Sequence, residues 1–320
     1  MAQRDQILDR VLVMEVARVT EAAAMSASRM IGRGDEKQAD QAAVDAMRKA
    51  LNNLDIQGRV VIGEGERDEA PMLYIGEIVG SGKGPEVDIA LDPLEGTTLT
   101  AKGMSNALAV IAIARRGSML HAPDVYMDKI AIGGGYAEGV VDLDRDPGEN
   151  ALALAKAKGV PIDQLTVCVM DRPRHTELIA RLREVGARVV LITDGDVAGV
   201  INTTDPETNV DMYLGQGGAP EGVLAAAALR CIGGQIQTRL VFRNDDERAR
   251  AERAGIKDLK RKYSLEDMVQ GDVIFAATGV TDGTMLRGVH HKGEFVSTDT
   301  VVMRASTGTV RWIKARHHRA

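Results

Sequence analysis

Asp92-Pro93-Leu94-Glu95-Gly96-Thr97 closes a short apolar run, Val87 to Leu91, that only Asp88 interrupts. The run reads as a strand and the hexapeptide as the turn at its end. Pro93 fixes φ and has no N–H to donate, and Gly96 lets the backbone bend sharply or approach a ligand closely. Two carboxylates three residues apart stand at this turn, with the Thr97 hydroxyl beside them. Hard divalent cations take oxygen ligands, usually carboxylates together with phosphate oxygens. The stretch therefore has the chemistry of a metal and phosphate site. Taken alone, it is better read as a tight surface turn whose acids face water.

A second acidic turn upstream changes that balance. Arg59-Val60-Val61-Ile62 is a short apolar strand that runs straight into Gly63-Glu64-Gly65-Glu66-Arg67-Asp68-Glu69. Two strands that each end in glycine and carboxylates point to convergence at their C-terminal edges, where α/β sheets bind ligands. Enzymes that use paired metal ions need several carboxylates to hold them roughly 3.5–4 Å apart.

Working outward, residues 5–31 show helical periodicity, with Ile7, Leu8, Val11, Leu12, Met14, Val16 and Val19 on one broad face. Gly32-Arg33-Gly34 ends that helix, and Asp35 is placed to cap a second one through about Leu54. Asp40 shares a face of this helix with Val44 and Met47, so it points inward unless it is simply a surface acid in an early turn. Ala70-Pro71 is expected to open a short helix through about Val79. Gly80-Ser81-Gly82-Lys83-Gly84 lacks the Ser/Thr and the long helix of a phosphate loop, and reads as a connector. Asn106–Ala114 reads as a strand, Tyr126–Ile130 leads into another, and Gly148–Gly159 reads as a helix.

From Pro161 the pattern alternates. Strands are expected at Leu165–Met170, at Ala187–Thr193 ending in Asp194-Gly195-Asp196, and at Val210–Leu214. A helix is expected at Arg174–Gly186. After the glycine-rich Gly215 to Gly222 comes a small-residue helix, Val223–Cys231. The fold class is α/β (α+β) in two subdomains. The cut falls near residue 160, giving an N-terminal α+β part, 1–160, and a C-terminal α/β part, 161–320. Strand-like runs at Val273–Ala276, Thr300–Arg304 and Val310–Ile313 place a final segment, 272–320, that can pack on either part.

The 320 residues are 44% hydrophobic and 27% charged, ordinary for a globular protein. Aromatics are only 3%, so there is no stacking platform for single-stranded nucleic acid, and a net charge of −6 disfavours non-specific binding to it. A phosphorylated ligand would need local basic residues or a metal. The basic stretch Lys314-Ala315-Arg316-His317-His318-Arg319 reads as a frayed tail. Cys168 and Cys231 stand in apolar surroundings and read as buried thiols of a reducing compartment. The polar start, Met1 to Asp9, offers no signal peptide, and no apolar run approaches the ~20 residues of a membrane span. A cytoplasmic protein is expected, with no nucleic-acid or membrane partner.

Five segments in this order, Val61-Ile62-Gly63-Glu64-Gly65-Glu66, Asp68-Glu69-Ala70-Pro71-Met72-Leu73-Tyr74, Asp92 to Thr97, Ala122-Pro123-Asp124-Val125-Tyr126-Met127 and Gly217-Gly218-Ala219-Pro220-Glu221-Gly222, resemble the class II (GlpX-type) fructose-1,6-bisphosphatases. The resemblance covers essentially the whole chain. It implies a layered αβαβα sandwich of the sugar-phosphatase and inositol-monophosphatase type. By the same resemblance Asp40, Glu64, Asp92, Glu95 and Glu221 match the metal-site acids, which would hold Mn²⁺ or Mg²⁺. Glu95, Gly96, Thr97, Tyr126, Arg172, Pro173, Arg174, Asp194, Gly195, Asp196 and Gly218 match substrate contacts. Two departures are modest: Arg172 stands where relatives often carry Lys, and Glu95 where some carry Asp.

The implied reaction is hydrolysis of the 1-phosphate of fructose 1,6-bisphosphate, a step of gluconeogenesis, by a homo-oligomer (dimer or tetramer). Thr97 would align the attacking water, aided by Asp40, because a free Thr hydroxyl is a poor base. The guanidinium forks of Arg172 and Arg174 suit phosphate. Asp194 and Asp196 suit sugar hydroxyls. Two other readings stay open: a bifunctional fructose-1,6-/sedoheptulose-1,7-bisphosphatase, and an inactive sugar-phosphate sensor.

Overall fold

The structure is a computed structural model that describes residue 8, residues 10–65 and residues 72–318. The chain divides into two compact units. One takes the chain up to His121 and resumes at Val269; the other is Ala122–Met268. The first begins with α1 (Arg10–Ala27), α2 (Glu36–Leu51), β1 (Gln57–Ile62), β2 (Ile78–Val79), β3 (Glu86–Glu95), α3 (Thr97–Lys102) and β4 (Leu108–Arg115). The second holds β5 (Tyr126–Ile132), α4 (Pro147–Lys158), β6 (Thr166–Met170), α5 (Thr176–Glu184), β7 (Arg188–Ile192), α6 (Asp196–Ile201), β8 (Met212–Gly218), α7 (Ala219–Ile232), β9 (Gln235–Val241), α8 (Asp245–Arg253), β10 (Lys262–Ser264) and α9 (Leu265–Met268). The first unit then adds β11 (Val273–Gly279), β12 (His290–Lys292), β13 (Phe295–Arg304) and β14 (Thr309–His318).

In the first unit, the eight-stranded sheet runs β12-β13-β11-β4-β3-β1-β2, with β14 added against β13. Its one parallel pair among the described strands is β1 with β3. That pairing lays the two acid-bearing strand ends side by side, as the apolar runs ahead of them led one to expect. Helix α2 starts where Asp35 accepts a hydrogen bond from the Gln38 N–H at 2.9 Å. It buries Ala39, Ala43, Val44, Met47 and Leu51, one stripe at helical spacing. With Val16, Val19, Ala23 and Ala27 of α1, this stripe packs on Ile89, Leu91, Ile111 and Ile113 of β3 and β4. Each Val, Leu, Ile or Met among these contributes about 1.5–3 kcal/mol on burial.

Asp88, the charge that interrupts the β3 run, is fully buried. Arg59 Nη2 reaches its Oδ1 at 3.0 Å and the Gly117 N–H donates to Oδ2 at 2.6 Å. Burial pushes this carboxyl up, but bonding from His121 and Gly117 and the Arg59 charge outweigh it and hold it below the usual range.

In the second unit, the six-stranded sheet is ordered β10-β9-β5-β8-β6-β7. Strands β6, β7 and β8 are mutually parallel, whereas β5 is antiparallel to β8 and β9. Alternation along each strand separates two faces. Ile130 and Ile132 of β5 and Met212 and Leu214 of β8 join Leu154 of α4 and Leu182 of α5. Lys129 and Tyr213 point to the other face and meet Asp196 of α6.

Each unit is thus a sheet with helices packed on it, the mixed α/β class read from the sequence. Three local expectations differ, and one left open is decided. The units part at His121 and Met268, not near residue 160, because β5 is zipped along its length between β8 and β9. The segment from Val273 onward belongs with the first unit, since β11 pairs with β4. The helix expected from Ala70 begins outside the described residues, and where it would end, Ile78–Val79 is a strand paired with β1. The basic residues Lys314–His318 form the end of β14, in register with β13, and are not a frayed tail.

Candidate active site

In the first unit the Asp-Pro-Leu-Glu stretch is not a turn after a strand. β3 continues through Glu95, and the irregularity is a bulge between Asp92 and Glu95 against β4. The turn itself is Gly96, at φ +93°, a conformation side chains avoid. Thr97 follows as the first residue of α3. Asp92 Oδ1 accepts the Leu94 N–H at 3.0 Å, and Glu95 is buried.

Glu64 lies just past β1, next to β3 in the sheet. Its backbone N–H donates to Leu73 O at 3.1 Å. A Cβ on Gly63 would sit 2.1 Å from that same carbonyl, so the loop needs glycine to pack this closely. Asp40 stands half-buried on α2, and burial pushes its carboxyl above the ordinary range.

In the second unit the three parallel strands deliver their C-terminal ends to one edge. Arg172-Pro173-Arg174 follows β6, Asp194-Gly195-Asp196 follows β7, and Glu221 follows β8. Tyr126 opens β5 opposite Gly218, so it reaches the same edge. Arg174 lies 4.7 Å from the Tyr126 ring centroid and donates from Nη2 to Gln216 O at 2.7 Å. Arg172 Nη2 stands 4.0 Å from Asp194 Oδ1.

Gly218 was expected to sit in a glycine-rich stretch ahead of the helix. It is instead the last residue of β8, and α7 starts directly at Ala219. Glu221 therefore lies in the first helical turn. Its Oε2 is buried and has no hydrogen-bond partner among the described residues. Burial, then the charge of Asp196, raises the Glu221 carboxyl to about 7 against the opposing pull of Lys129.

Sequence reading missed three participants. Lys129 is fully buried and its Nζ stands 2.5 Å from Asp196 Oδ2. Arg243 covers the Tyr126 ring beside Arg174, again at 4.7 Å. The buried His175 holds Met170 O and the Gln216 N–H with its two ring nitrogens. The only signal for Arg243 was its place just beyond a strand of alternating burial; Lys129 gave none. Cys168, near Asp196, is held up to about 12 by burial and is no nucleophile.

Among the described residues no three His, Cys, Asp or Glu side chains converge closely enough to hold a metal ion. The donors on offer are nonetheless all carboxylate oxygens, and the orphaned Oε2 of Glu221 is an oxygen in want of a partner. Such donors suit a hard divalent cation, and the guanidinium groups of the second unit suit phosphate.

An α/β chain with carboxylates at one set of strand ends and arginines at another has the equipment of a phosphate-handling enzyme. The sequence model of the family described as bacterial fructose-1,6-bisphosphatase, glpX-encoded, matches residues 10–317, and the chain belongs to that family. It is 46% identical to the fructose-1,6-bisphosphatase 1 class 2 of Escherichia coli K12, over 97% of this chain and 96% of that protein. The class 2 enzyme of Shigella flexneri is likewise 46% identical over the same shares. Among solved structures, the extragenic suppressor protein SuhB of Bartonella henselae aligns with 61% of this chain and 74% of its own, at 16% identity and a TM-score of 0.35.

Proposed function

We propose that this chain hydrolyses the 1-phosphate of fructose 1,6-bisphosphate to fructose 6-phosphate and phosphate, as a gluconeogenic phosphoric monoester hydrolase. The observation that carries this reading is the 46% identity, across 97% of the chain, to a class 2 enzyme whose name states that substrate. Asp40, Glu64, Asp92, Glu95 and Glu221 would hold the divalent cations, Mn²⁺ or Mg²⁺, which supply Lewis acidity toward the phosphate and the attacking water. Thr97 aligns that water through its hydroxyl. Asp40, half-buried on α2, aids it in taking up the proton. Arg172 and Arg174 bind the phosphate that is not cleaved, with Tyr126 as the surface on which Arg174 rests. Asp194, Gly195, Asp196 and Gly218 face the sugar, and Glu95 and Gly96 flank the reacting end. Positioning and charge neutralisation dominate phosphoryl transfer, which is what such an arrangement supplies.

We also place the enzyme in the cytoplasm as a homo-oligomer. The edge strand β7 supports assembly, since it leaves Val190 44% and Leu191 39% exposed. Among the described residues no helix is long and apolar enough to cross a membrane.

The test is phosphate release from fructose 1,6-bisphosphate by the purified protein with Mn²⁺, with Mg²⁺ and with EDTA. Sedoheptulose 1,7-bisphosphate is run in parallel. Turnover that requires a divalent cation is the expected result. Binding of the ester without release under any metal would replace the enzyme with a sensor.

A further inference from the structure

We propose that Lys129 is a positioning residue for Asp196, and through it for the sugar end of the substrate. The inference rests on the reading of Asp196 as a sugar contact. Lys129 is buried in the middle of β5 with 0% of its side chain exposed, and Asp196 keeps only 4%. The ammonium stands 2.5 Å from Asp196 Oδ2. The buried Tyr213 hydroxyl approaches the same oxygen at 3.4 Å. A Cβ built on Gly217 would lie 1.9 Å from that oxygen and 3.1 Å from Lys129 Nζ. The carboxylate is therefore gripped on Oδ2 by a cation and a phenol, in the space that Gly217 leaves by having no Cβ. Gly195, at φ +83°, fixes the first turn of α6 from which Asp196 projects.

Stability alone does not call for this arrangement. Taking a lysine and an aspartate out of water costs several kcal/mol per ion, and a well-packed apolar pair of the same volume holds two elements together as well or better. What the ion pair adds is direction. A salt bridge between β5 and the start of α6 sets where one carboxylate points, and Gly217, lacking a Cβ, leaves the room for it there. Lys129 itself lies under Gly222, where a Cβ would stand 3.3 Å from Lys129 Cε, so glycine leaves the room that the lysine stem occupies.

The experiment compares Lys129→Met, Asp196→Asn and the double variant Lys129→Met/Asp196→Asn in steady-state kinetics on fructose 1,6-bisphosphate, with fructose 6-phosphate binding by calorimetry alongside. Lys129→Met is expected to raise KM and weaken fructose 6-phosphate binding about tenfold, the scale of one lost oriented polar contact, with kcat within about twofold. The double variant is expected to match Asp196→Asn alone, because residues acting through one another are non-additive. The double variant has no buried charge left over, so it keeps the question open to test even if Lys129→Met fails to fold. A Lys129→Met enzyme with wild-type KM and binding overturns the proposal. So does a double variant that loses the product of two independent factors. If wild type releases no phosphate, the function reading fails by itself, and the calorimetric comparison still decides the role of Lys129.

Discussion

Arg243 lays its guanidinium over the ring of Tyr126, 4.7 Å from the centroid. Arg174 covers the same ring at the same distance. Each stacking contact is worth about 0.5–1 kcal/mol at exposed sites, but it gathers two positive charges around one ring. Arg243 is kept there by Glu247, which is 99% buried on its side chain and accepts from Arg243 Nε at 2.6 Å. Like charges assembled this way in a chain of net charge −6 fit an anionic ligand. Arg243→Ala is therefore expected to raise KM for fructose 1,6-bisphosphate by about tenfold, the loss of one charge-assisted contact, with kcat little changed. Steady-state kinetics decide it, and an unaltered KM removes Arg243 from phosphate binding.

Gly217 and Gly218 divide two carboxylates between them. A Cβ on Gly217 would meet Asp196 Oδ2 at 1.9 Å, and one on Gly218 would meet Glu221 Oε2 at 1.9 Å. The Glu221 tip can give way at smaller cost than the Asp196 carboxylate, which Lys129 and Tyr213 hold, and in either case the movement is the damage. Gly218→Ala is expected to leave the melting temperature close to wild type while weakening Mn²⁺ binding measured by calorimetry. Gly217→Ala is expected to spare metal binding and raise KM. Normal metal affinity in a folded Gly218→Ala protein would detach Glu221 from the metal site.

Thr97 has a narrower task. It is the first residue of α3, directly after the left-handed Gly96, so its hydroxyl is fixed at the end of β3. Thr97→Ala removes only an aligning group. A loss of about 10²-fold in kcat with KM within a few-fold is expected, since a transition-state contact is lost and a ground-state one is not. Near-normal turnover would take Thr97 out of the mechanism.

How much of this was legible beforehand depends on how local each cause was. The N-cap at Asp35, the stripe on α2 and the buried run of β3 follow from neighbours a few residues apart, and the structure has them. The parallel pairing of β1 and β3 was foreshadowed by their matching acidic ends. Gly215 to Gly218 gave no sign of strand, because Gly215 and Gly217 serve close approach by His175 and Asp196, partners remote in sequence. Nor could alternation in Tyr126–Ile132 reveal that Lys129 is buried, since its partner comes 67 residues later. The unit boundary was misplaced for the same reason: β5 finds both of its neighbours far downstream. How the five acidic residues act together was carried by resemblance alone.

His175 gives the chain a pH dependence with a determinable sign. Nδ1 lies 2.7 Å from Met170 O, so it carries the hydrogen, and Nε2 accepts the Gln216 N–H at 2.8 Å. Protonating Nε2 would set two N–H groups against each other in a buried place. Burial, with the charges of Arg174 and Arg172, lowers this imidazole below its ordinary 6.5, although the Met170 carbonyl pulls the other way. The unfolded chain thus binds the proton more readily than the native one as pH falls through 6.5, so stability drops with acidification there and is flat above it. Urea unfolding at pH 7.5 and 5.5 reads this directly. Wild type is expected to lose more stability between these two than His175→Gln, which keeps polar atoms but does not titrate. Equal losses in the two proteins would mean that His175 takes its proton as easily folded as unfolded, and that the bond to Gln216 does not hold it neutral.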